Sequence, residues 1–293
     1  MPAHAARAVR RPPAPAAAAV LDQERLSPAD FARLSAHIRQ LCGIDLAPAK
    51  AEMIAGRLRR RTRALGLDSL QAYVELVFAA PGGEEDRALV NAVTTNKTDF
   101  FREPAHFAFL REVALPELGQ QRRRLRVWSA ACSTGAEPYT IAMVLDAAAN
   151  DRGGPEYGIL ASDIDTEVLA VARRGVYPAA LLDPVPSDLR RRYVMRAREA
   201  SRDECRITPD LRAAIGFARL NLVAAAYPLG EPMDAIFCRN VLIYFDRATQ
   251  ARVVTQLAET LRPGGFLFLG HSEAGCGAVP ALAPVASAVF RRR

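Results

Sequence analysis

From about residue 105 onward the chain alternates short apolar runs with helical ones, and that alternation leaves few folds open. Strand-like runs cover residues 125–130, 157–162, 215–220, 234–238 and 265–270, with helical periodicity between most of them. Such a pattern predicts a parallel sheet with helices on both faces. Residues 284–292 read as one last strand. The interval 175–211 is too long for a simple crossover, proline-rich at its start and charged in its middle, so an inserted subdomain is expected there.

Ahead of this region, residues 27–95 read as helices only. Ser27 is a good N-cap, with Pro28 at the first helical position and Asp30 three residues after the cap. Phe31, Leu34, Ile38 and Leu41 form a stripe that Gly43 ends. A second helix is expected from about Pro48 to the glycine at 66, a third from near Ser69 carrying Leu70, Tyr73, Val74 and Val77, and a fourth after Gly83. The chain then divides into a tail over 1–20, a helical domain over 21–95, a strap over 96–104 and an α/β domain over 105–293 with its insertion at about 176–213. The tail is rich in Ala, Pro and Arg and is expected to be disordered. Arg10-Arg11 followed by 16–20 faintly mimics a secretion signal, but the apolar part is too short and broken by prolines.

Bulk properties narrow the setting. A chain of 293 residues holds one large domain and a smaller one. No apolar run approaches the ~20 residues that span a bilayer, so no direct membrane insertion is expected. The net charge of +7 favours an acidic partner. Five scattered cysteines without a C-x-x-C pair point to free thiols in a reducing cytosol, hence a cytoplasmic protein. Four histidines without metal-ligand spacing predict no metal site.

The chemistry concentrates at strand ends. Residues 125–145, LRVWSAACSTGAEPYTIAMVL, run from an apolar strand through a turn of small residues to Gly135 and a helix starting near Pro138. Ligands of open α/β sheets bind beside such turns, where small side chains admit them to the backbone; an ordinary strand-to-helix turn looks the same. The next strand ends in Ser162-Asp163-Ile164-Asp165. Asp163 is positioned to accept from ribose hydroxyls or to cap the following helix, and Asp165 suits the cap. A dinucleotide site wants three glycines around the pyrophosphate, whereas this turn has one, and Glu137 at the helix start would repel a pyrophosphate. A carboxylate there tolerates a cationic ligand such as the α-ammonium of a methionine moiety, which points to S-adenosylmethionine. Later strand ends bring Asn221-Leu222, where an adenine fits, and Asn240 with Tyr244 just beyond; Tyr244 and Phe245 also fit as core aromatics. The glycines of Leu261-Arg262-Pro263-Gly264-Gly265 suit a helix-to-strand turn. Before the α/β domain, residues 96–103, NKTDFFRE, combine an amide, a hydroxyl, an arginine and two aromatics, a mixture suited to a strap folded over a ligand.

These segments, with ASDIDTEVLAVARRGVY, DAIFCRNVLIYFD and LRPGGFLFLGHSE, occur in the order found in CheR-type chemotaxis methyltransferases, which the chain resembles over roughly residues 27–275. The resemblance implies a class I S-adenosylmethionine-dependent methyltransferase fold: a Rossmann-like, seven-stranded, mostly parallel sheet with an all-helical N-terminal domain and a small antiparallel β insertion. It implies methylation of glutamate carboxylates on chemoreceptors, with S-adenosylhomocysteine as product and no metal. By motif position it implies cofactor contacts at Asn96, Thr98, Arg102, Glu137, Asp163, Asn221, Leu222, Asn240 and Val241. Arg102 and Tyr244 are expected to orient the substrate carboxylate or hold the methionyl carboxylate beside it; Arg102 alternatively serves the cofactor only.

Arg57, Arg59, Arg60, Arg61 and Arg63 crowd one helix, as a docking face for an acidic receptor helix bundle or as a solvated surface. In some relatives a glycine-bearing loop of the β insertion tethers to a receptor tail; residues 195–207 here contain no glycine, so an enzyme independent of such tethering is expected, and, separately, a monomer. Two other classes compete. One is a non-catalytic cofactor-binding regulator, which the intact cofactor motifs oppose. The other is a nucleic-acid methyltransferase, which the absence of an Asn/Asp-Pro-Pro-aromatic segment at Asn240 and of aromatic interleaving in the basic helix opposes.

Overall fold

The computed structural model describes residues 25–120, 124–199 and 201–293; the tail over 1–20 lies outside the described residues. Four helices come first: α1 (Pro28–Cys42), α2 (Ala51–Ala64, preceded by a 3-10 turn Pro48–Lys50), α3 (Leu70–Ala79) and α4 (Glu84–Val93). Their ends follow local chemistry. Ser27 Oγ accepts from the Asp30 amide, Ser69 Oγ accepts from the Ala72 amide, and Gly43 closes α1 in the left-handed conformation at φ 76°.

A strap leads to α5 (Pro104–Phe109), which passes through a π-helical turn (Leu110–Ala114) into α6 (Leu115–Gly119). The α/β domain then runs β1 (Arg124–Ala130), α7 (Ala136–Arg152), β2 (Glu156–Asp163), α8 (Thr166–Arg174), β3 (Val176–Pro178), α9 (Ser187–Tyr193), β4 (Val194–Arg196), β5 (Glu204–Ile207), α10 (Pro209–Ala213), β6 (Ile215–Arg219), β7 (Met233–Cys238), α11 (Arg247–Thr260), β8 (Leu261–Leu269), β9 (Leu282–Ala286) and β10 (Val289–Arg292). The main sheet has seven strands in the order β6-β2-β1-β7-β8-β10-β9. Its first five are parallel, and β10 pairs antiparallel with both β8 and β9. A separate antiparallel sheet, β3-β5-β4, forms the insertion.

Burial follows the period of two that a strand imposes. In β1, Leu125 and Val127 pack into one apolar cluster while Trp128 and Ala130 pack into the other. The first cluster continues into α5–α7 and the insertion, and the second into α1–α4 and α11. The helical domain therefore shares a core with one face of the sheet, and the sheet is covered on both faces, as buried parallel strands require. Among the described residues no helix is long and apolar enough to cross a membrane.

One local reading changes. The last segment is not one strand: Ala288 takes φ 55° and the chain folds back, so 282–292 is the hairpin β9–β10. Within the small-residue turn after β1, Gly135 has its own constraint. Gly135 has φ 95°, and a Cβ there would lie 2.9 Å from both Ala172 Cβ and Tyr177 Oη, so this glycine answers to packing against α8 and the insertion rather than to ligand approach. Substitution Gly135→Ala is expected to destabilise the protein by about 2 kcal/mol or more, from left-handed strain plus overpacking. Urea unfolding checks this, and an unchanged midpoint would contradict it.

Candidate functional site

A cleft opens between the helical domain and the carboxyl ends of β1, β2, β6 and β7. Asn96, Thr98, Arg102, Glu137, Asp163, Asn221, Leu222, Asn240, Val241 and Tyr244 all line it, together with Arg239, Ser133 and Ala131.

Each side chain is held by identifiable partners. Asp163, at the end of β2, accepts from the backbone amides of Ser133 (2.8 Å) and Asp165 (3.0 Å). Burial raises its pKa, opposed by those amides. A carboxylate has about four acceptor sites, so these amides leave capacity for a ligand hydroxyl. Asp165 caps α8 by accepting from Glu167 and Val168 through Oδ1. Its Oδ2 accepts from Thr94 Oγ1 (2.8 Å) and Asn96 Nδ2 (2.7 Å), which ties the start of the strap to the sheet. Ser133 Oγ donates to Asn96 O (2.9 Å) as a second tie. The Asn96 amide is thus engaged with the protein as well as facing the cleft.

Asn221 has a similar double position. Its Nδ2 donates to Leu41 O (2.7 Å) and its Oδ1 accepts from Val223 N, joining α1 to the loop after β6. Tyr244 closes a 3-10 turn (Leu242–Tyr244), with Lys50 Nζ 5.7 Å from its ring centroid. Phe245 is buried in the core and bridges to Ile44. Arg102 Nη1 donates to Lys97 O (3.1 Å), bracing the strap across its own turn.

Arg239 is the residue the sequence reading passed over. Its side chain is 2% exposed. It donates to Glu137 Oε2 (2.9 Å), lies 3.1 Å from Glu103 Oε2 and also donates to Arg102 O. The available signal was a charged residue directly after a fully buried strand. Glu137 Oε1 accepts from Ser129 Oγ (2.7 Å). Burial raises the Glu137 pKa, with Arg239 opposing. For Glu103 burial acts upward as well, but the charge and hydrogen bond of Arg239 and the amide of Asn240 outweigh it, and its pKa is lowered. Asn240, at φ 58°, donates its Nδ2 to Glu103 Oε1 (3.2 Å), and its backbone amide donates to Glu273 Oε2 (2.7 Å). Glu273 is a second residue not singled out from sequence; it is buried and also accepts from the Gly270 and Ile243 amides.

The fold also brings together Glu103, His106 and His271, whose ligand atoms lie within 4.8 Å of one another, a proximity invisible in their spacing. A guanidinium already pairs with that carboxylate, and a second cation beside it would be repelled. The cluster is therefore an anchor for the end of the strap. Burial, with Arg239 beside it, pushes the His106 pKa down to about 4.

The basic helix is less free than its sequence implies. Arg57 donates to Ala92 O (3.1 Å) and Thr94 O (2.7 Å), Arg59 pairs with Glu52 (2.6 Å), and Arg61 pairs with Glu85 (3.0 Å) and Glu84 (3.5 Å). Arg60 and Arg63 are exposed.

Comparison with known proteins agrees with this architecture. The family described as "CheR methyltransferase, SAM binding domain" matches residues 96–281, and "CheR methyltransferase, all-alpha domain" matches residues 29–94. "Chemotaxis protein methyltransferase 2" of Pseudomonas aeruginosa is 44% identical over 244 residues, 83% of this chain and 86% of that protein. "Chemotaxis protein methyltransferase" of Klebsiella aerogenes is 44% identical over 248 residues, 85% of this chain and 84% of that protein. The Escherichia coli protein of the same name is 44% identical over 248 residues, 85% of each chain.

His106 makes the site acid-sensitive. Its pKa falls from the ordinary 6.5 to about 4 on folding, so the unfolded chain binds more protons between these values. The stability it contributes is complete above pH 6.5 and is lost as pH falls toward 4, by up to about 3 kcal/mol. His106→Gln removes that titration. Its stability is expected to fall less steeply than that of the unsubstituted protein across this window, as chemical unfolding at stepped pH will read; parallel curves would contradict the assignment.

Proposed function

The chain belongs to the CheR family of methyltransferases, and on that premise we propose that it methylates glutamate side-chain carboxylates of methyl-accepting chemoreceptors in the cytoplasm. It is an S-adenosylmethionine-dependent methyltransferase of the chemotaxis type. The observation that carries the finer reading is the convergence of strap and strand-end residues on one cleft.

The donor set suits the cofactor. Glu137 offers a carboxylate to an ammonium, Arg102 a guanidinium to a carboxylate, and Asp163 its remaining acceptor capacity to ribose hydroxyls. Leu222 and Val241, with Asn221 and Asn240 beside them, offer an apolar slot with amide edges for a purine. Asn96 and Thr98 close the slot from the strap. When bound, the cofactor supplies an electrophilic methyl group on a sulfonium.

A glutamate with a pKa near about 4.3 is already ionised at neutral pH, so no general base is needed. No histidine is among the residues lining the cleft. What the protein supplies is alignment and exclusion of water. With a sulfonium donor bound, attack by a carboxylate would turn an anion and a cation into two neutral groups, so a dry cleft would favour it. Correct positioning contributes up to ~7–11 kcal/mol in favourable cases. Arg102 and Tyr244 at the cleft wall orient the incoming carboxylate.

Methyl transfer from labelled cofactor to cytoplasmic receptor fragments of the same organism, followed by mild alkali, tests the acceptor. Label released as methanol is the expected result; alkali-stable label would mean a different acceptor atom, and no transfer would remove these receptors as substrates. Arg102→Ala is expected to lower turnover by about 100-fold with a smaller loss of cofactor affinity. Equal losses would confine Arg102 to cofactor binding.

For docking, the exposed Arg60 and Arg63 are the residues to reverse. Arg60→Glu with Arg63→Glu is expected to slow receptor methylation about tenfold at unchanged cofactor affinity, because like charges then face an acidic bundle. Unaltered methylation would remove the basic helix from the docking surface. Arg57 is unsuitable for this test, because it holds the backbone at Thr94 where the strap begins.

A further inference from the structure

Arg239 lies where three parts of the protein meet, and among the described residues it alone pairs with both Glu103 and Glu137. Its guanidinium reaches Glu137 in the first turn of α7 and Glu103 at the end of the strap, and it holds the backbone carbonyl of Arg102 between them. It stacks 5.4 Å from the centroid of Phe107, which packs on the Phe237–Phe268 pair in the centre of the sheet. A planar, forked, always-charged group is well suited to serve two carboxylates from such a buried position.

We infer that Arg239 is a positioning residue for methyl transfer: it keeps Glu137 ionised as the seat for the ammonium end of the cofactor and fixes the Arg102 end of the strap over that seat. This rests on the assignment of Glu137 to the cofactor made above. Without the guanidinium, Glu137 and Glu103 are two carboxylates facing each other in a dry site, and such a pair takes up a proton. A protonated Glu137 offers a cationic ligand no charge. The loss would fall on cofactor affinity and would depend on pH, which a purely architectural role of Arg239 would not produce.

The titratable groups facing the network are Glu103 on the strap, His106 on α5, Cys132 in the turn after β1, Cys238 on β7 and His271 after β8. His106 stays neutral above about pH 4, and burial keeps both thiols protonated. His271 is half exposed and is present in every variant below, so the unsubstituted protein carries its contribution.

The test is calorimetric binding of S-adenosylmethionine to the full chain at about pH 6 and about pH 8, with Arg239→Gln, Arg239→Lys and Glu137→Gln. Arg239→Gln is expected to bind about tenfold more weakly or worse at the lower pH and to recover part of that loss at the higher, because rising pH favours the ionised Glu137. Arg239→Lys keeps the charge and is expected to bind with a profile as flat as the unsubstituted protein, but with reduced turnover, because an ammonium lacks the fork that reaches both carboxylates. An Arg239→Gln loss equal at both pH values, or no loss, would overturn the inference. If that variant does not fold, the lysine variant decides: unsubstituted turnover from it would overturn the bridging role. Normal binding by Glu137→Gln would instead remove Glu137 as the cofactor seat, a failure of the underlying assignment. Weak binding by Glu137→Gln beside a pH-independent Arg239→Gln would leave that assignment standing and remove only the inference.

Discussion

Buried carboxylates organise this cleft, and each one dictates where a piece of backbone must go. Asp163 draws in the Ser133 and Asp165 amides, Glu273 draws in those of Asn240, Gly270 and Ile243, and Asp165 gathers the α8 amides together with Thr94 and Asn96. Glu137 and Glu103 divide one guanidinium. An ionised group out of water costs several kcal/mol unless it is paired and hydrogen-bonded, so these contacts are obligatory. The turns around the cleft are therefore set by electrostatics first and by chain propensity second.

That ordering explains the backbone. Phe101, Glu103, Ala131, Ser133 and Asn240 all have positive φ without being glycine, and all five lie on the strap or at the ends of β1 and β7. Such conformations cost about 1–3 kcal/mol each and persist where surroundings over-determine them. Here the surroundings are the carboxylate contacts on one side and two extended apolar clusters on the other. Because one cluster runs unbroken from α1–α4 into the sheet, the helical domain is a fixed wall of the cleft.

What the sequence revealed follows from the range of each signal. Periodicity is local, so the alternation of strand and helix, the Ser27 and Ser69 caps and the Gly43 stop could all be read directly. The hairpin at 282–292 was not legible because its turn rests on Ala288, a residue with no turn preference. The candidate site residues were found at strand ends, where topology sends ligands, and through a family resemblance. Arg239, Glu103 and Glu273 escaped notice because their role is a pairing between distant segments, which composition does not encode. Arg57 was misleading for the same reason: a basic residue on a basic helix looks like surface until its contacts with Ala92 and Thr94 are seen.

Those contacts change how the two ends of the molecule relate. Arg57 sits on α2 and holds Thr94 O, Thr94 Oγ1 donates to Asp165, and Asp165 holds Asn96 at the start of the strap. At the other end of the strap, Arg102 and Glu103 are held by Arg239. The strap is thus clamped at both ends by buried or half-buried charges, one clamp reaching the basic helix and the other the sheet. A strap fixed in this way has little freedom to swing from the cleft as a lid. Ligand entry must use the opening the clamps leave, and the side chains that face it, Arg102 and Tyr244 among them, are presented before any ligand arrives. Pre-set geometry of this kind suits a reaction whose nucleophile needs no activation and whose barrier is lowered by alignment.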